Sequence, residues 1–281
     1  MKKILKITLI IVFILGLFYY GSNILSYLFL NAESSAQEKV MPVLLDNKFK
    51  LEDVKDINIC QLAGNVKFIN YNDDIDKYIN GKLYDARESV GDNNLSKSKD
   101  NVIEVYVCGN DSTKASIDFN DGILNITNNQ SGGMKNGILL YVPSQYSGRI
   151  IIENAAGNCS VTNFKNATLF VSLGCGNIDL KSVKDIDIRL AAGNININEI
   201  TNLCEIECGA SNIKIDKISI KENSKISVRA GNIRINNKQD DIYVDANLAD
   251  NSKSDVPQEY NGTILEIDNL SGEILVGHTI Y

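Results

Sequence analysis

The side chains of this 281-residue chain that could do chemistry are carboxylates, six cysteines and one histidine. Asp179, Asp187, Glu205 and Glu207 fall on alternate positions of strand-like segments, where a facing pair would serve as general acid and base. Asn72-Asp73-Asp74-Ile75-Asp76 and Asp118-Phe119-Asn120-Asp121-Gly122 concentrate oxygen atoms of the kind that hold a divalent cation. Neither has the spacing of a calcium loop, and Asp and Asn are also ordinary turn residues. His278 stands close to the chain end with no Cys/His cluster around it. There is no nucleophile motif and no phosphate loop, and the absence of Trp removes the usual platform for stacking sugars. The reading is therefore no catalytic, cofactor-binding or metal site, with the outward carboxylates as solvated strand residues.

The elements that would carry these residues come from one recurring phrase, a small residue followed by Gly-Asn and an apolar-polar-apolar triplet. It occurs as Ala156-Gly157-Asn158, Cys175-Gly176-Asn177, Ala192-Gly193-Asn194, Ala210-Ser211-Asn212 and Ala230-Gly231-Asn232, with an outlying Ala63-Gly64-Asn65. The Asn-to-Asn intervals of the main run are 19, 17, 18 and 20 residues. Self-similarity at this period is the mark of a solenoid. Before each Asn, apolar residues alternate with polar ones: Leu169, Val171 and Leu173, then Ile186, Ile188 and Leu190, then Cys204, Ile206 and Cys208. After it come Ile178 and Leu180, Ile195 and Ile197, Ile213 and Ile215, Ile233 and Ile235. Strict period two means half-buried strands, not helices. Phe164, Val183, Ile200 and Ile218, six residues after each Asn, read as corner residues that close the coil.

One such repeat cannot fold alone. About six inward side chains give roughly 10–18 kcal/mol of burial, while ordering some eighteen backbones costs roughly 18–36 kcal/mol. Only stacking completes the burial. The expected fold is all-β: a single-stranded parallel β-solenoid (β-helix) with an irregular β N-terminal part, preceded by one N-terminal transmembrane helix. The regular coils are expected over 150–277, in sequence order and closing at Ser271-Gly272-Glu273, with the irregular part or cap over 49–149. Gly157, Asn158, Gly176, Asn177, Gly193, Asn194, Asn212, Gly231 and Asn232 then form a turn ladder of stacked amides, a structural column rather than a ligand surface. Ser211, in a glycine slot, implies either a different turn or strain.

Residues 1–30 begin with Lys2, Lys3 and Lys6 and continue as an apolar run from Ile7 to Leu30, interrupted around Gly21–Asn23. As a helix, this run spans roughly 36 Å, enough to cross a bilayer with some tilt. A cleaved signal peptide ending near Ser34-Ser35-Ala36 is the alternative, and the length of the run favours an uncleaved anchor. The leading lysines place the N-terminus in the cytoplasm and the rest outside, after a polar linker over 31–48. Beyond residue 30 the chain holds 25 basic and 35 acidic residues, because all three charges before it are lysines. That surplus argues against nucleic acid as a partner.

Among the cysteines, Cys204 and Cys208 lie on one strand roughly 13 Å apart, too far to bridge. With Cys159 and Cys175 they read as small buried apolar residues, while Cys60 and Cys108 could pair.

An anchor, the Ile57–Val66 strand pair, the Leu139-Leu140-Tyr141-Val142-Pro143 strand and the small-Gly-polar-Ile coils together resemble the bacterial "putative adhesin" domain, a family of unknown function on anchored surface proteins. The resemblance covers about residues 49 to 277. Its usual Ser-Gly-Asp-Ile turn is mostly Ala-Gly-Asn-Ile here, with Ser-Gly-Glu-Ile at Ser271–Ile274. It implies a non-enzymatic surface binding or scaffold module at the cell membrane, with a protein or envelope-polymer partner, sometimes associated with envelope-stress regulators. It supplies no catalytic residue. The alternatives are a β-helix enzyme acting on polysaccharides and a structural protein that self-associates.

Overall fold

In the computed structural model, residues 43–70, 101–130, 136–248, 262–277 and 279–280 are described. They are all-β, with helix confined to two three-residue 3-10 turns, Leu51–Asp53 and Ser112–Lys114. The strands in chain order are β1 Val43–Lys50, β2 Asp56–Ala63, β3 Asn65–Asn70, β4 Val102–Cys108, β5 Ala115–Asn120, β6 Ile123–Asn128, β7 Gly137–Val142 and β8 Arg149–Ala156. They continue with β9 Cys159–Val161, β10 Phe164–Ile218, β11 Ser224–Ala230, β12 Ile233–Lys238, β13 Ile242–Leu248, β14 Thr263–Asn269, β15 Ile274–Val276 and β16 Thr279–Ile280. Among the described residues no helix is long and apolar enough to cross a membrane. The transmembrane segment expected over 1–30 lies outside them.

The strands form a solenoid-like stack with two walls joined at the Gly-Asn turns. The first wall runs β5–β6–β2–β8, then successive passes of β10, then β11–β14–β13. The second runs β1–β4–β7–β3–β9, then β10 again, then β12–β15–β16. Pairing is parallel through the body and antiparallel at β1/β4, β4/β7, β5/β6 and β15/β16. Strand β10 carries three of the turns within its 55 residues. Inward alternation on both walls supplies one aliphatic core, running from Ile57 and Ile126 at one end to Ile267 and Ile274 at the other. The corner residues Phe164, Val183, Ile200 and Ile218 are all buried.

In the extent and order of its strands the structure departs from the sequence reading twice. Strand β1 starts at Val43, inside the stretch read as linker, because it pairs antiparallel with β4 rather than joining the coil pattern. And the coils do not stack in sequence order. The β2–β3 coil is inserted between β6–β7 and β8–β9. At the other end β14, not β13, lies on β11, and β13 is added outside it. The alternation of Ile242, Val244 and Ala246 is real, but the matching columns of β14 continue into a turn at Gly272 that seats on Gly231.

Candidate functional site

The turns are where backbone and side chains converge. Gly64, Gly157, Gly176, Gly193, Gly231 and Gly272 all have φ between +133° and +151°, a region that side chains other than glycine's occupy at a cost. A Cβ built on Gly193 would stand 1.7 Å from the carbonyl oxygen of Gly176, and one on Gly176 at the same distance from that of Gly157. Glycine is thus required twice over, by the backbone angle and by the approach of the next coil. Ser211 solves the problem differently, since Asp121 is the one residue other than glycine with positive φ among the described residues.

The asparagines beside these glycines form a hydrogen-bonded column. Asn158 N donates to Asn65 Oδ1 at 3.0 Å, and Asn177 donates from both N and Nδ2 to Asn158 Oδ1 at 3.0 and 3.2 Å. Asn194 Nδ2 donates to Asn177 Oδ1 at 3.0 Å and Asn212 Nδ2 to Asn194 Oδ1 at 3.4 Å. Asn232 N donates to Asn212 Oδ1 at 3.1 Å, and Glu273 N to Asn232 Oδ1 at 3.0 Å. Each amide oxygen therefore secures the next coil's turn, so the column is committed to the fold along its length. Its outer side, with Asp179, Asn196, Lys214 and Arg234, lines a shallow hollow on the second wall. There Asn196 Nδ2 donates to Asp179 Oδ1 at 2.9 Å, Lys214 pairs with Asp216 at 3.2 Å, and Arg234 Nε donates to Asn236 Oδ1 at 2.9 Å.

Of the four carboxylates singled out in the sequence, Asp179 is on the second wall, apart from the others. Glu205 and Glu207 lie on the first wall, and of the four only Asp187 acts on Glu205. Glu205 holds its proton more tightly than an ordinary glutamate, first through partial burial and then through Asp187 nearby. The strand register seats Glu205 beside Lys225, which pairs at 2.8 Å with both Glu266 and Asp268 across β11/β14. The sequence did not reveal this network, because β14 lies some forty residues from β11 and out of coil order.

Asp118–Gly122 is a two-residue hairpin between β5 and β6. Asp121 has φ +53° and Gly122 +84°, the geometry such turns demand. Asp118 accepts from Ser116 Oγ at 3.0 Å. No group of three or more His, Cys, Asp and Glu able to hold a metal occurs among the described residues. Asn72–Asp76 and His278 lie outside them.

All six cysteines are free, Cys60 and Cys108 included. Burial pushes the thiols of Cys108 and Cys208 up to about 11 and that of Cys159 to about 12, and raises Cys204 as well. Cys175 is exposed on the outside of its turn, not buried, because its small-residue slot faces solvent.

With this geometry in place, the Toastrack DUF4097 family model matches residues 92–279. The chain belongs to that family. The Toastrack match leaves out β1 to β3, although β2 and β3 sit inside the stack. Among curated proteins no match is found. A crystal structure of a "putative cell adhesion protein" from Clostridium sporogenes ATCC 15579 aligns over 83% of this chain and 98% of its own, at 7% identity and a TM-score of 0.30. A likeness of that size carries no argument about this Toastrack chain.

Proposed function

We propose that this Toastrack chain is a non-enzymatic binding or scaffold module, held at the cell membrane by residues 1–30 and displayed outside, whose ligand is a protein or an envelope polymer. The observation that carries this reading is the form of the second wall. Between Asn177 and Arg234 it presents a broad, shallow surface of amides and charges rather than a cleft. Such a surface suits an extended partner met over many weak polar contacts. Lys214 and Arg234 follow one another in the same outward column and supply its cationic donors, fitted to carboxylates or sugar hydroxyls. A role beside envelope-stress regulators belongs to the same reading.

The test is the retention of envelope polymer and protein from its own cells by the full chain, extracted in detergent and immobilised. Charge reversal at Lys214 and Arg234 together is expected to weaken retention about tenfold, the loss of one to two polar contacts, with the thermal unfolding midpoint unchanged. Retention that ignores both substitutions overturns the choice of surface. Release of soluble sugar from the polymer during incubation overturns the non-enzymatic reading.

A further inference from the structure

The turn at Gly64 is built on a different neighbour from the turns that follow it. Gly157 stacks on Gly64, Gly176 on Gly157 and Gly193 on Gly176, in each case glycine over glycine. Gly64 itself stacks on Asn136, whose carbonyl oxygen would lie 2.2 Å from a Cβ placed there. In the strand register Asn65 faces Gly137. The dipeptide Asn136-Gly137 is therefore the repeat's Gly-Asn reversed. Gly137 has no amide to add to the ladder, and the Asn136 side chain sits one residue too early to join it.

That side chain is fully buried, and neither its Oδ1 nor its Nδ2 has a partner among the described residues. The same holds for both amide atoms of Gln61, which is 2% exposed. Gln61 Nε2 also approaches the Gly64 turn, 2.5 Å from the Cβ position. Residues at the matching strand position make the bonds Gln61 lacks. Asn154 Nδ2 donates to Gly64 O at 2.9 Å while its Oδ1 accepts from Ala156 N at 3.3 Å. Asn269 repeats the pattern with Gly231 O at 2.9 Å and Ser271 N at 3.3 Å. Glutamine is one methylene longer and overshoots this geometry.

We infer that Gln61 and Asn136 hold a structural water beneath the Gly64 turn, where the β2–β3 coil is inserted between later coils. The chemistry selects the ligand. Two primary amides offer two acceptor oxygens and two donor groups, all desolvated. A cation would satisfy the oxygens and be repelled by the amino groups, and an anion would do the reverse. Water both donates and accepts, and buried waters sit where polar groups would otherwise go unpaired.

The full chain labelled with 15N at Asn and Gln side chains tests this by magnetisation transfer from water. Long-lived water contacts are expected at the amino groups of Gln61 and Asn136. They should vanish in Gln61→Leu, which installs the residue that Leu173 and Leu190 provide two and three coils along. Gln61→Asn should adopt the Asn154 bonds, lose the Gln61 water contact and raise the unfolding midpoint by about 2–4 °C, one hydrogen bond's worth in a domain of this size. A crystal structure of the unaltered chain puts the same question without a variant. Gln61 and Asn136 bonded directly to each other, or to residues 131–135, with no water between them, overturns the inference.

Discussion

The perturbation that best tests the architecture is Gly193→Ala, at the centre of the stack. The backbone there has φ +151°, and the added methyl would lie 1.7 Å from Gly176 O and 2.8 Å from its carbonyl carbon. Real Cβ atoms keep at least 3.0 Å from such atoms, so the two coils must part locally. An opening of more than about 1 Å, in a stack spaced by about 4.8 Å, breaks hydrogen bonds rather than stretching them. The Asn194–Asn177 amide bond, 3.0 Å long, is the nearest. Placing alanine at this φ costs about 1–2 kcal/mol, and losing two or three ladder bonds about 1 kcal/mol each, for a total of about 3–5 kcal/mol. In a domain of this size that lowers the unfolding midpoint by about 10 °C. The assay is thermal and urea unfolding followed by far-ultraviolet circular dichroism. Ser211→Ala is the matched control, because that position has already abandoned positive φ, and it should stay within about 1 kcal/mol of the parent. A Gly193→Ala midpoint equal to the parent's, or a Ser211→Ala loss as large as that of Gly193→Ala, would refute the reasoning.

Other outcomes follow from the same geometry. Asn177→Ala removes an amide that bonds to Asn158 below and Asn194 above, and should cost about 1–2 kcal/mol in urea unfolding. Of the six thiols, Cys60 and Cys175 should react with an aromatic disulfide reagent in the native state and the other four only after denaturation, as counted by absorbance. Lys225→Gln strands Glu266 and Asp268 beside Glu205, and should cost about 0.5–1 kcal/mol at low salt, shrinking as salt is added. The hydrogen bond from Arg149 holds the Asp56 carboxyl below its ordinary value, and those from Lys217 and Ser182 do the same for Glu199. Their contribution is therefore complete above the unfolded-state value near about 4 and lost as pH falls through the lower folded values. Urea midpoints of Asp56→Asn with Glu199→Gln should accordingly decline less steeply than the parent's below about pH 4.

Much of the fold was legible because the two signals that specify it are local. Period-two alternation marks the inward columns, and the Gly-Asn phrase marks where the chain bends. The inward residues named from the pattern, from Leu169 through Ile235, are buried. What could not be read was the order of the coils. Val228 accepts Asn269 as its stacking neighbour, although the apolar pattern of β13 resumes sooner in the chain. Alternation says which way a side chain points, not which coil lies beside it. The same gap hid Lys225's partners and the amide pair at Gly64. Gln61, at a position that alternation turns inward, and Asn136-Gly137, written in reverse of the repeat, were nevertheless visible signals. Cys175 is exposed although its slot takes small residues, because smallness at a bend does not imply burial.

The out-of-order coils bear on stability in a way a simple stack would not. In a linear array each repeat is held by its two neighbours, and the terminal ones fray first because they have a single neighbour. Here β14, which follows β13 in the chain, is not the edge strand of the first wall. Strand β14 is hydrogen-bonded to β11 on one side and β13 on the other. The β2 strand is likewise flanked by β6 and β8. At the opposite end β1 and β5 close the two walls with antiparallel strands, and Phe49 packs on Phe119 with ring centroids 5.3 Å apart. Antiparallel closure breaks the parallel register that another coil would need to continue the stack. The early cost is slower assembly, because β2 must await β6 and β8, and β11 must await β14, across long sequence separations. In return β2 and β14 each gain a second hydrogen-bonded neighbour, and the surface proposed to bind by many weak polar contacts is the better preorganised for it.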